Sequence, residues 1–213
     1  MDGGAGRTGT VEAGLSPSTV AGRAAVSVPD VFRRITAALD QAGIGYMLSG
    51  SFASAHYGVP RSTQDIDLVI EATPAQLRAF VEALTGNEYY ADLDSALEAH
   101  KRQSMFNVID LATGWKIDLI IRKSRAFSQE EFRRRQRVSL HDVPLFVASA
   151  EDVVLSKLEW AKLARSRRQI EDATAILRMR WDALDHSYLA KSIAELDVKK
   201  EWDEALRVAG IAG

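Results

Sequence analysis

Ser49-Gly50-Ser51-Phe52-Ala53-Ser54-Ala55-His56-Tyr57-Gly58-Val59-Pro60-Arg61-Ser62-Thr63-Gln64-Asp65-Ile66-Asp67-Leu68-Val69-Ile70 sets a Gly-Ser turn ahead of two carboxylates separated by one residue. The stretch from Asp65 to Ile70 reads as a strand, and in a strand residues i and i+2 share a face, about 6.6 to 6.8 Å apart along the chain. Asp65 and Asp67 therefore present oxygens to one side while Ile66 points to the other. A hard divalent cation is the ligand that such a pair suits.

Working outward, Tyr46-Met47-Leu48 is a short apolar strand opened by Gly45, and Ser49, Gly50 and Ser51 turn the chain into a brief helix from Phe52 to Tyr57. Gly58 and Pro60 break it. Upstream, Val31, Ile35, Leu39 and Ala42 recur at helical spacing, with Asp30 as the expected cap and Gly43 as the stop. Downstream, Pro74 at a first helical position starts a helix through Leu77, Phe80, Val81 and Leu84, ended by Gly86-Asn87.

A polar helix follows over Asp92 to Arg102, then a hairpin of Phe106 to Leu111 and Trp115 to Ile121 through Ala112-Thr113-Gly114. Ser128-Gln129-Glu130-Glu131 reads as a capping box opening a short basic helix. A second hairpin pairs Val138-Ser139-Leu140 with Pro144-Leu145-Phe146-Val147 through His141-Asp142. Beyond it Ser149-Ala150-Glu151-Asp152 caps the first of four helices, at about 150 to 164, 166 to 179, 187 to 196 and 198 to 209. Strands and helices followed by helices alone imply an α+β fold, a mixed sheet flanked by helices with a C-terminal helical bundle beside it. The expected divisions are a disordered leader over 1–28, a core over 29–148 and a helical region over 149–213.

Composition narrows the chemistry. With 213 residues, 46% hydrophobic and 26% charged, the chain can bury a core, and no run approaches the roughly 18 apolar residues of a membrane span. It has no cysteine, which excludes disulfides, zinc-thiolate sites and thiol catalysis and suits a reducing, cytoplasmic setting. The first 28 residues lack the cationic start and continuous apolar core of a secretory signal. A net charge of -2 argues against a generally basic nucleic-acid binder. Local clusters at Arg122-Lys123-Ser124-Arg125, Arg133-Arg134-Arg135 and Arg165-Ser166-Arg167-Arg168 either meet phosphates or are solvated faces.

The third carboxylate is Asp118, inside the otherwise apolar Lys116-Ile117-Asp118-Leu119-Ile120-Ile121. A carboxylate in such a strand is costly without a partner. If this strand runs beside Asp65 to Ile70, at about 4.8 Å, the three acids share a face. Gly50 lets backbone approach a polyphosphate, and Ser51 and the amides opening the next helix supply donors.

These residues resemble the polymerase-β-like nucleotidyltransferases, marked by Gly-Gly or Gly-Ser, a short helix, Asp-x-Asp on a strand and a third carboxylate on a later strand. The fuller string Ser49-Gly50-Ser51-x-Ala53, His56-x-Gly58, Arg61-x-Thr63-x-Asp65-Ile66-Asp67-Leu68 resembles the bacterial branch related to abortive-infection and toxin-antitoxin nucleotidyltransferases. The resemblance implies that Asp65 and Asp67 bind two Mg2+ ions, with Mn2+ as an alternative. It also implies that Asp118 completes the site and helps activate the acceptor hydroxyl, and that Gly50 and Ser51 hold the β and γ phosphates of a nucleoside triphosphate such as ATP.

Glu151-Asp152-Val153-Val154-Leu155-Ser156-Lys157-Leu158 and Arg168-Gln169-Ile170-Glu171-Asp172-Ala173 resemble the two helical motifs of that branch, in which a lysine reaches the triphosphate and an aspartate supports it. Lys157 and Asp172 are the candidates, against a solvated lysine and an ion pair of Asp172 with Arg168 at i and i+4. Arg61 suits either phosphate or a brace for the loop before Asp65. His56 on a short helix reads as packing or capping, or as a nucleotide contact.

The expected reaction is nucleotide transfer with pyrophosphate release, to the 3' end of a tRNA or another RNA as in the toxin-like relatives, which implies a cognate antitoxin protein as a partner. Transfer to a small molecule such as an aminoglycoside is the alternative enzyme reading, with Glu88, Asp92, Asp94 and Glu98 as a possible acidic pocket. A non-catalytic module that binds nucleotide or a partner is the third.

Overall fold

Val31, Phe32, Ile35 and Leu39 bury one face of α1 (Val28–Gln41), a computed structural model of the chain shows. The structure describes residues 27–211 apart from Gln64, Thr85 and Asn87, so the leader expected over 1–28 lies outside the described residues except for Ser27 and for Val28, which begins α1. Ser27, not Asp30, caps α1. Asp30 sits at the third helical position and accepts from the Ser27 N–H at 3.1 Å and hydroxyl at 2.6 Å, so its acidity served the cap from inside the helix.

The chain continues through β1 (Gly45–Leu48), α2 (Gly50–Tyr57), β2 (Asp65–Glu71), α3 (Pro74–Leu84), β3 (Tyr89–Ala91), α4 (Leu93–Arg102), β4 (Met105–Asp110) and β5 (Lys116–Ile121). It then forms α5 (Ala126–Arg133), β6 (Gln136–Leu140), β7 (Val143–Val147), α6 (Ala150–Ala164), α7 (Arg167–Arg180), a 3-10 turn (Trp181–Ala183), α8 (His186–Leu196) and α9 (Lys199–Ala209). Two expectations are corrected. Ser128 lies within α5, whose N-cap is Arg125, and its hydroxyl accepts from the Arg125 guanidinium at 2.9 Å instead of capping the backbone. β3 was not anticipated, because its strand character comes from pairing with β4.

Among the described residues the strands form one mixed sheet in the order β3-β4-β5-β2-β1-β7-β6. β2 pairs antiparallel with β1 and parallel with β5, which places it inside the sheet. Its apolar positions, Ile66, Leu68 and Ile70, are buried, as are Ile117, Leu119 and Ile121 at the same register on β5. The alternate positions are left to carry Asp65, Asp67 and Asp118. One buried cluster runs from Val31 to Leu206 across the fully buried Ala148. Its helical part reaches the sheet through α6 and α7, which both pack on α2. Among the described residues no helix is long and apolar enough to cross a membrane.

Candidate active site

The β2–β5 register decides the site, because Asp67 pairs with Asp118 and Asp65 with Lys116. In a parallel pair, residues at one register point to the same face of strands about 4.8 Å apart. Asp67 and Asp118 thus stand side by side, with Lys116 next to Asp65. Asp118 is 6% exposed and accepts a hydrogen bond from Asn107 Nδ2, which projects from its register partner on β4. Lys116 Nζ lies 3.0 Å from Asp118 and 3.7 Å from the exposed Asp65.

The Gly-Ser turn is fastened to β2. The Ser49 N–H donates to the Asp67 carbonyl at 2.9 Å, and the Ser51 N–H donates to the Asp67 carboxylate. Gly50 has a φ of +60°, and a Cβ there would stand 1.9 Å from Asp67 Oδ2. Glycine is therefore required twice, by the left-handed backbone and by the carboxylate packed against it. Burial, and then the negative charge of Asp118, push the Asp67 carboxyl above its ordinary range, while the Ser51 N–H and the positive charge of Lys157 pull it back. Asp67 is a carboxylate short of positive charge.

Lys157 on α6 and Asp172 on α7 meet at 2.8 Å, with both residues buried. Asp172 also accepts from Arg61 Nε and Nη2, both at 3.2 Å, and Arg61 Nη2 donates to Ser51 Oγ at 2.6 Å. Arg61, Lys157, Asp172 and Ser51 thus form one network joining the turn to the helices. Asp172 pairs with these two cations and not with Arg168 along its own helix. Of the residues singled out from the sequence, Gly50, Ser51, Asp67 and Asp118 come together at the strands, and Arg61, Lys157 and Asp172 join them through Ser51. Asp65 stands at the solvent edge. His56 packs against the Tyr57 ring at 4.7 Å, and burial lowers its pKa.

Lys116 and Asn107 were missed. Lys116 carried a legible signal, since at i-2 from Asp118 it must share that residue's face. Asn107 carried none, because its place beside Asp118 depends on the β4–β5 register.

Among the described residues no group of three or more carboxylates or imidazoles is drawn together as a finished coordination shell. The donor set nevertheless suits a hard cation. Its candidate donors are all oxygen, on adjacent strands, and the Lys116 ammonium supplies positive charge between two of them. A cavity of about 580 Å³ lies elsewhere, at the other ends of β2 and β5 beside Ile70, Glu71, Ile121 and Arg122.

No curated protein matches the chain. Solved structures do. The crystal structure of ANT(2'')-Ia in complex with adenylyl-2''-tobramycin has a TM-score of 0.52 at 16% identity, over 81% of this chain and 98% of that one. The solution structure of the antibiotic-resistance factor ANT(2'')-Ia has a TM-score of 0.50 at 16% identity, over 83% and 92%. An antigenic nucleotidyltransferase-like protein from Paracoccidioides brasiliensis has a TM-score of 0.47 at 16% identity, over 84% and 91%. At this identity the likeness to ANT(2'')-Ia is one of fold, and it agrees with the polymerase-β-like architecture expected from the Gly-Ser and Asp-x-Asp pattern. A family model matches residues 30–209, a span that includes every residue of the site. The chain belongs to that family, described as nucleotidyltransferase of unknown function (DUF6036).

Proposed function

We propose that the protein transfers a nucleoside monophosphate from a nucleoside triphosphate to an acceptor hydroxyl. The observation that carries this reading is Asp67 beside Asp118 on adjacent strands, with Gly50 packed against the Asp67 carboxylate. Asp65, Asp67 and Asp118 would hold two Mg2+ ions, or Mn2+. Bound there, the ions would neutralise charge on the α-phosphate and acidify the acceptor hydroxyl.

The chain's own groups do the rest. Ser51 and the amides at the start of α2 donate to the triphosphate oxygens, and Gly50 allows their close approach. Lys157 and Arg61 add positive charge beside the phosphates, oriented by Asp172. The acceptor oxygen attacks the α-phosphorus, the bond to the β-phosphate oxygen breaks, and pyrophosphate leaves. Asp118 takes the hydroxyl proton, with Asn107 fixing the carboxylate that receives it.

The arginine clusters bear on the acceptor. Arg122 pairs with Glu71 at 2.6 Å, Arg133 with Glu130 at 2.7 Å and Arg134 with Glu151 at 3.2 Å, while Arg135 lies over the Phe132 and Phe146 rings. Arg125 is held by Glu159. Guanidinium groups paired in this way are less available to an RNA backbone. Two of the acidic residues suggested as a pocket for a cationic acceptor are similarly engaged, since Asp92 caps α4 and Glu98 pairs with Arg102 at 2.6 Å.

The test therefore offers both acceptor classes. Each α-labelled triphosphate, ATP first, is incubated with Mg2+ and either total RNA or a panel of aminoglycosides, using wild type and Asp67→Asn. Labelled RNA or labelled aminoglycoside that disappears with Asp67→Asn supports transfer and names the acceptor. Label transfer that survives the substitution overturns it, as does Mg2+-dependent nucleotide binding without product from any acceptor, which is the behaviour of a non-catalytic module.

A further inference from the structure

Lys116 was not among the expected site residues, yet its ammonium lies against two of the three strand carboxylates. The β2–β5 register places it opposite Asp65 and two residues before Asp118. Its ammonium lies between those acids, 3.0 Å from one and 3.7 Å from the other. Asp118 is nearly buried, and an anion there needs a compensating charge. The side chain of Lys116 is 41% exposed, so its flexible four-carbon stem has a path into solvent.

We propose that Lys116 is a resident counter-cation of the metal-free site, which a divalent ion must displace from Asp65 and Asp118 on entering. This rests on the reading of Asp65, Asp67 and Asp118 as metal ligands. Metal and ammonium compete for the same carboxylate oxygens, and both cannot occupy the space between the strands. Lys116 thereby sets the concentration at which metal enters. It also keeps the acids from repelling one another when metal is absent. A divalent ion wins by its second charge and its multiple inner ligands, and the freed ammonium swings outward. Lys116 is in this sense a positioning residue and not a catalytic one, because in the loaded site it has left the carboxylates.

The test measures Mn2+ binding directly, by the electron paramagnetic resonance signal of free Mn2+, in the full chain without nucleotide. Wild type is compared with Lys116→Met and Lys116→Gln, and each is repeated with Asp67→Asn. Removing a cation that lies 3.0 Å from Asp118 and 3.7 Å from Asp65 should tighten Mn2+ binding on the order of tenfold. Melting temperature without metal should fall in both Lys116 variants, and saturating Mn2+ should raise it more than in wild type. Asp67→Asn should weaken Mn2+ binding in every background.

Equal Mn2+ affinity in wild type and both Lys116 variants, with Asp67→Asn still weakening it, would overturn the role of Lys116 and leave the carboxylate site standing. Weaker binding in the Lys116 variants would overturn it too, by showing that the ammonium helps the metal. If no protein binds Mn2+ in an Asp67-dependent manner at millimolar concentration, the metal-site reading fails and this proposal falls with it.

Discussion

At Gly50 a methyl group would stand 1.9 Å from the Asp67 carboxylate, on a backbone that already has a φ of +60°. Gly50→Ala must displace the turn or the carboxylate. We expect a stability loss of about 1–3 kcal/mol, together with a fall in nucleotidyl transfer of about a hundredfold or more from misplacement of the reacting groups. Denaturant melts and initial rates on the same preparation check both. Asp67→Asn should separate the two effects. It keeps an acceptor for the Ser51 N–H while removing a negative charge that burial and Asp118 disfavour. Its melting temperature in metal-free buffer should rise by about 2–4 °C, while transfer falls more than about a hundredfold. A variant that is both less stable and inactive would contradict the electrostatic account.

Among the elements, α6 and α7 hold the network that strands alone cannot supply. Asp172→Ala would leave the buried Lys157 and the partly buried Arg61 without their shared carboxylate, at a cost of about 3–5 kcal/mol. Lys157→Met should cost less, because Asp172 keeps Arg61. The double variant should then be more stable than the sum of the single losses predicts, which a double-mutant cycle by urea unfolding measures. Much of this scale was legible in advance. Asp65 and Asp67 share a strand face by spacing alone, Ser149 caps α6 as its position before Glu151 and Asp152 implied, and both hairpins were marked by their turns. What could not be read was which strands would be neighbours. Asp118 meets Asp67 only because β5 crosses to lie parallel to β2, and Asn107 gains meaning only from the β4–β5 register. For the same reason Asp172 was weighed against a neighbour four residues away along its helix, when its partners come from α6 and from the loop before β2.

For the molecule as a whole, the buried joint between α5 and α6 sets a dependence on pH. Burial, and then the charge of Asp152, push the Glu131 carboxyl from an ordinary value of 4.5 up to about 8, and only partly offset by the Ser156 hydroxyl at 2.9 Å. Below pH 4.5 Glu131 is protonated in both the folded and unfolded chain, and its contribution is fully present. Between 4.5 and about 8 the unfolded chain ionises while the folded one resists, so stability is lost as pH rises. Glu131→Gln should therefore leave stability near pH 4.5 almost unchanged and increase it at pH 8 to 9, by about 1–3 kcal/mol. Calorimetry of wild type and variant across that range checks the crossing. An equal difference at both ends would show that the effect is packing and not ionisation.

The Arg61–Asp172 bond joins residues 111 positions apart. Long-range contacts of this kind repay their chain entropy late in folding, after local helices and hairpins have formed. A chain emerging from the ribosome displays Asp65, Asp67 and Asp118 well before α7 is available to hold Arg61. Completion of the Ser51–Arg61–Asp172–Lys157 network is thus tied to the arrival of the last third of the polypeptide, and a nascent chain still lacking α7 carries the acids without the restraint that orients Arg61 and Lys157.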